Sequence, residues 1–139
     1  MRALGLDLGT KRIGLATSDI SGLIATPHST LNRSSSVRRD HESIARIVES
    51  EEVEIVVVGL PIRMNGELGP AAEAANREAA KLGTVLRVPV IMFDERMTTV
   101  AADRALKEAN ISASRRREFV DRVAAAVMLQ TWLDRGCPR

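Results

Sequence analysis

The chain has 139 residues, near the commonest size for one folding unit, and is 45% hydrophobic and 27% charged, as an ordinary globular protein is. No run approaches the roughly 18 apolar residues of a membrane span, and Gly5, Asp7 and Gly9 interrupt the apolar stretch that a secretion signal needs, so one cytoplasmic domain over residues 1–139, with no membrane partner, is expected. The net charge of +2 conceals an imbalance: 17 of the 20 basic residues are arginine, whose donor fork matches phosphate, although coding bias also yields arginine-rich chains.

Residues 3–8 alternate as a strand and end at Gly9, and residues 12–18 resume the pattern after a turn on Gly9, Thr10 and Lys11, which predicts a β-hairpin. A third strand is expected from about Leu23 to Leu31, then a helix over about 36–50, with several N-cap candidates between Asn32 and Ser36 and Val37, Ile44, Ile47 and Val48 on one face. Ile55 to Val58 form a β-branched run of the kind a strand covered on both faces carries. A loop over 59–69 leads to Pro70 at the start of an alanine-rich helix ending at Gly83 as C-cap. Residues 86–93 read as a strand in which Pro89 indicates an edge position. Thr98 or Thr99 can cap a helix to about Ala109, and Ser112 or Ser114 one to about Leu133. Hairpins first and βαβ crossovers afterwards predict an α/β domain with a mixed five-stranded sheet, three antiparallel strands then two parallel, flanked by helices.

Three carboxylates stand where this pattern does not expect them. Asp7 lies inside the first strand between Leu6 and Leu8; there its charge must meet either the amides of the Gly9–Lys11 turn or a ligand. Glu95 follows Asp94 just beyond a strand's carboxyl end, an address where ligands gather in open α/β sheets, although an acidic residue there also favours the start of a helix. Asp121 shares a face of the last helix with Ala124, Ala125, Met128 and Trp132, all within about 60° of it at about 100° per residue. Arg122, next in sequence, points elsewhere, so a salt bridge would need another arginine. Such a trio suits a site for two hard divalent ions, Mg²⁺ or Mn²⁺, of the kind that stabilise both oxygens of an in-line phosphoryl displacement. One cysteine, Cys137, and two histidines, His28 and His41, leave carboxylates as the natural metal ligands.

Four blocks then match a known family. LGLDLGTKRIGLATSD at 4–19, VVVGLPIRMNGELGP at 56–70, FDERMTTVAADRAL at 93–106 and DRVAAAVMLQTWLD at 121–134 resemble the YqgF/RuvX proteins, Holliday-junction-resolvase-like nucleases regarded as maturing precursor 16S ribosomal RNA. The resemblance covers nearly the whole chain. It implies an RNase H-like fold, metal-binding and catalytic roles for Asp7, Glu95 and Asp121, and a nucleic-acid partner: precursor rRNA or the ribosomal particle, or branched DNA. Around these acids, Thr10, Lys11 and Arg12 are candidates for phosphate contact at the turn, as are Arg63 in the 61–69 loop, which reads equally as a flap or a connector, and Arg122. Arg115, Arg116 and Arg117 sit at a helix start, where the dipole disfavours positive charge and a phosphate partner would offset it, although the run reads equally as a solvated helix start.

Two rivals remain at this level. The DLGT turn also occurs in two-domain sugar kinases and actin-like ATPases, for which 139 residues supply only one half. A non-catalytic binding module would gain by losing acids that face phosphate, so the retained trio favours an enzyme. Scarce aromatic residues, only Phe93, Phe119 and Trp132, argue against a base-stacking platform, and no heptad or apolar stripe decides between monomer and homodimer.

Overall fold

The computed structural model describes the backbone of residues 1–97 and 113–139, and the side chains of 1–96 and 119–139. Five strands, β1 (Ala3–Leu8), β2 (Arg12–Ser18), β3 (Ala25–Asn32), β4 (Ile55–Leu60) and β5 (Val90–Asp94), form one sheet in the order β3-β2-β1-β4-β5. β1 pairs antiparallel with β2 and β2 with β3, whereas β4 lies parallel to both β1 and β5. This is the expected mixed sheet: the short turn after Gly9 permits only an antiparallel return, and the helical crossovers permit parallel ones.

Strand alternation sorts the core into two layers. Leu4, Leu6, Ile13, Leu15, Val56 and Val58 face helices α1 (Val37–Ser50) and α2 (Pro70–Val85), while Ala3, Ala16, Ile55 and Val57 face α3 (Ala113–Asp134). The continuous Ile55–Val58 run is buried on both sides, as its composition requires.

Local signals account for most boundaries. The Ser36 hydroxyl caps α1 by accepting from the Arg39 amide, and Pro70 occupies the first turn of α2, where its missing N–H costs nothing. Five expectations need correction. α2 runs through Gly83 to Val85, because Gly83 lacks the positive φ of a C-cap glycine and the helix closes instead at Leu86, whose N–H donates to the Leu82 carbonyl. β5 begins at Val90 rather than 86; Pro89 has no N–H to donate, but its carbonyl accepts from Val56 N–H at the edge of the sheet. Leu23 and Ile24 stay outside β3, in a turn whose amides Asp19 accepts, and Val37 is 45% exposed although it falls on the apolar side of α1. Finally, α3 already includes Ser114, which therefore is not its cap. Ser112, Thr98, Thr99 and the helix expected to Ala109 lie outside the described residues.

α3 is fastened at its far end. Trp132 is fully buried and donates from Nε1 to the Pro138 carbonyl, and Gln130 joins the β3 segment by accepting from Ala25 N–H and donating to Leu23 O. Trp132→Ala is expected to destabilise the protein by about 3–5 kcal/mol, read as a lower midpoint in urea unfolding; an unchanged midpoint would show that α3 is held elsewhere.

Candidate active site

All three singled-out acids lie at one end of the sheet, and glycines put them there. On β1, residues Ala3, Gly5 and Asp7 fall on the α3 face, and Asp7 is directly opposite Gly14 on β2. α3 passes so close that a methyl group on Gly5 would sit 2.9 Å from Leu129 Cβ, and one on Gly14 only 1.9 Å from the Asp121 carbonyl oxygen. Two bare positions and the small Ala3 and Ala16 therefore let the helix backbone rest on the sheet, and the residue that lands beside Asp7 is Asp121. On the other side of β1, Gly59 of β4 leaves room for Glu95: a methyl group there would lie 2.4 Å from Glu95 Oε2. Glu95 is carried by a 3-10 turn, Glu95–Met97, directly after β5.

Crowding and burial set the electrostatics. Desolvation, then the charge of Asp121, pushes the Asp7 carboxyl up to about 6. Glu95 is pushed up to about 7 by burial first and then by Asp7 and Asp94. No amide of the Gly9–Lys11 turn donates to the Asp7 carboxylate, so of the two ways of meeting its charge the turn is not the one used; Gly9 N–H is directed to the carbonyls of Arg12 and Asp7. Asp121 does have an arginine partner, from far away in sequence: Arg12 Nε donates to its Oδ2 at 2.6 Å, with both side chains largely shielded. Asp94 is held apart from the trio by Arg96, whose Nε lies 2.8 Å from Asp94 Oδ2.

Beside this pair is a cavity of about 190 Å³ lined by Gly9, Thr10, Lys11, Arg12 and Asp121. The amides of Thr10 and Lys11 have no hydrogen-bond acceptor among the described residues, and both side chains are exposed. Two open N–H groups beside cations form an anion-binding concavity. The other candidates do not line this cavity among the described residues. Arg63 is 57% exposed in a loop closed on itself by Gly66 N–H donating to Arg63 O, and the Arg122 guanidinium lies 6.0 Å from the Phe119 ring centre. Arg115, Arg116 and Arg117 are in the first turns of α3, their side chains outside the described ones.

The sequence as a whole matches a known family. The family model described as "RuvX: Holliday junction resolvase" matches residues 1–135. The chain belongs to the RuvX family. A Myxococcus xanthus protein named "Putative pre-16S rRNA nuclease" is 49% identical over 138 residues, which cover 99% of this chain and 91% of that one. A Thermoanaerobacter pseudethanolicus protein of the same name is 46% identical over 135 residues, 96% of each chain. Among solved structures, Thermus thermophilus RuvC in complex with a Holliday junction substrate superposes with a TM-score of 0.60 at 19% identity, covering 99% of this chain and 97% of that one. The fold is thus the RNase H-like fold of RuvC, and this RuvX protein is a nuclease, a hydrolase of nucleic-acid ester bonds.

Sequence reasoning missed Gly14 and Gly59. A glycine inside a strand signals close backbone approach, and the two positions carry that signal, but only the pairing of β1 with β2 and β4 shows that they flank Asp7. Gly59→Ala is expected to displace Glu95 and cut activity while changing stability by less than about 1 kcal/mol, because only a side-chain end must move. Gly14→Ala must move the α3 backbone and should cost about 3 kcal/mol or more. Thermal unfolding with a cleavage assay checks both; equal stability losses would refute the distinction. The raised carboxyls also set a pH dependence. Their stabilising effect is complete below pH 4 and is lost as pH rises through about 6 to 7. In EDTA, Asp7→Asn should therefore melt a few degrees above wild type at pH 8, and the gap should close towards pH 4.

Proposed function

We propose that this nuclease is a divalent-metal-dependent endonuclease, active in the cytoplasm, that matures the 5′ end of precursor 16S rRNA, with Asp7, Glu95 and Asp121 holding the ions. The observation that carries the reading is the convergence itself: two glycines flank Asp7, and two further acids from distant elements are seated over them. No fold needs that arrangement for stability, since burial and the Asp121 charge raise the Asp7 pKa, and burial and the Asp7 charge raise that of Glu95. The substrate comes from the relatives, whose name specifies precursor 16S rRNA.

The donor set fits a hard cation. Carboxylate oxygens suit Mg²⁺ or Mn²⁺, and both histidines are engaged elsewhere, His28 with Glu51 and His41 with Glu78. Among the described residues no three acidic, histidine or cysteine side chains gather tightly enough to enclose one ion, and Asp121 is turned towards Arg12. Asp7, coupled to each of the other two, is the natural shared ligand. When bound, two such ions would polarise the attacking water and stabilise the leaving oxygen of a phosphodiester.

The chain's own residues supply the remaining requirements. Thr10 and Lys11 amides, with the Lys11 and Arg12 cations, grip a phosphate beside Asp121. Arg12 has a second use there, since its guanidinium offsets the Asp121 charge beside Asp7. Arg63 and Arg122, and Arg115, Arg116 and Arg117 in the first turns of α3, are assigned to the nucleic-acid backbone, where contacts set position rather than sequence.

The family description names the Holliday junction, so branched DNA is the second substrate to test. Purified protein with Mn²⁺ or Mg²⁺ should cut precursor 16S rRNA, EDTA should stop it, and Asp7→Asn should slow it by about 100-fold or more. Cleavage confined to four-way DNA junctions would transfer the activity to DNA. Cleavage of neither substrate, or equal cleavage by Asp7→Asn, would remove the proposed mechanism.

A further inference from the structure

The phosphate-gripping turn has a back as well as a front, and the back is occupied by one side chain. Arg33 directly follows β3, whose last residue, Asn32, pairs with Arg12. Its backbone N–H donates to the Lys11 carbonyl at 2.9 Å, and its Nε donates to the Gly9 carbonyl at 2.7 Å. The two remaining nitrogens of the guanidinium form a fork on Glu78 of α2, at 2.8 and 2.7 Å. Glu78 is in turn fixed by the fully buried His41 of α1, whose Nε2 lies 2.8 Å from Oε2. The carbonyls on either side of Thr10 are thus tied through one arginine to both helices behind the sheet.

Three features separate this arrangement from an ordinary surface ion pair. Both partners are shielded, at 15% and 17% exposure. Burial alone would raise the Glu78 pKa, but hydrogen bonds from Arg33 and His41 overcome it and hold the carboxyl below its usual value. The turn does not lie flush on α2: a space of about 460 Å³ lined by Gly9, Thr10, Ala71 and Ala74 separates them, and Arg33 bridges it. An arginine near a nucleic-acid site is ordinarily read as a phosphate contact. Here every nitrogen of the guanidinium is directed inward, to Gly9 and Glu78. Lysine could not reproduce the link, having one nitrogen where the fork uses three.

We infer that Arg33, anchored by Glu78, is a positioning residue for catalysis: it holds the Gly9–Lys11 turn so that the Thr10 and Lys11 amides face the substrate phosphate. The inference rests on the proposed phosphate grip. Glu78 is its sharpest probe, because charge and positioning predict opposite signs. Removing an acid near a polyanion should strengthen binding by charge alone, whereas loosening the turn should slow cleavage of bound substrate.

The test measures single-turnover cleavage of precursor 16S rRNA, or of the DNA junction if that is the substrate cut, for wild type, Glu78→Gln, Arg33→Lys and Asp7→Asn. Substrate Kd, Mn²⁺ affinity and thermal unfolding are measured alongside. Glu78→Gln and the charge-preserving Arg33→Lys should both cleave about 10-fold or more slowly, with Kd within about 3-fold and Mn²⁺ affinity unchanged. In ¹⁵N–¹H spectra of the metal-free proteins, the Thr10 and Lys11 amides should shift in both variants. Cleavage within about 2-fold of wild type by both variants, with Asp7→Asn inactive, overturns the positioning role and leaves the active site standing. Wild-type cleavage by Asp7→Asn overturns the active-site reading itself. A loss that follows the unfolded fraction and disappears at temperatures where the variants are fully folded, with the two amides unshifted, also overturns positioning.

Discussion

The site depends on how closely one helix can approach a sheet. α3 rests on β1 and β2 at Gly5 and Gly14, two positions without side chains, flanked by Ala3 and Ala16. Because Gly14 is the cross-strand partner of Asp7, the contact that seats the helix also determines which residue arrives beside Asp7. A larger residue at 14 would collide with the Asp121 backbone, not with an adjustable side chain, so packing and site geometry cannot be varied separately. Gly59 does the same for Glu95 more gently, since it faces only the end of a flexible side chain.

This packing concentrates negative charge where water is partly excluded, and the fold offsets only some of it. Arg12 neutralises Asp121, and Arg96 does so for Asp94. Asp7 and Glu95 instead carry pKa values raised by burial and by their acidic neighbours. A protein selected only for stability would replace them with apolar residues, because a desolvated like-charge pair opposes folding at neutral pH. Raised carboxyl pKa values in a tightly packed corner are the kind of feature that marks a candidate functional site.

The hairpin turn works between two environments. Its front lines the small cavity beside Asp121, and its back is tied to α1 and α2 through Arg33, Glu78 and His41. Nothing in the sequence drew attention to those three residues. Each is of an ordinary type, they are spread over positions 33 to 78, and they come together only because the end of β3 passes behind the turn and two helices cover the same face. Arg12 illustrates the same limit, for its chemistry pointed to phosphate, yet its nearest partner is an acid 109 residues away.

Period-2 alternation in β1, the β-branched run of β4 and the caps at Ser36 and Pro70 were legible in the sequence because each is a local rule obeyed within a few residues. The three acids were legible for a related reason: an ionisable group on an apolar face violates such a rule and stands out against it. Element boundaries were less visible, as with the helix that continues through Gly83 to Val85 and the strand that starts only at Val90. The sequence by itself determined the element types, the mixed sheet and the candidate residues for a site, since these follow from periodicity and desolvation. Only the tertiary structure decided that Gly14 and Gly59 flank Asp7, that Arg12 meets Asp121 and that Arg33 braces the turn, because strand register and helix approach depend on packing between residues far apart in the chain.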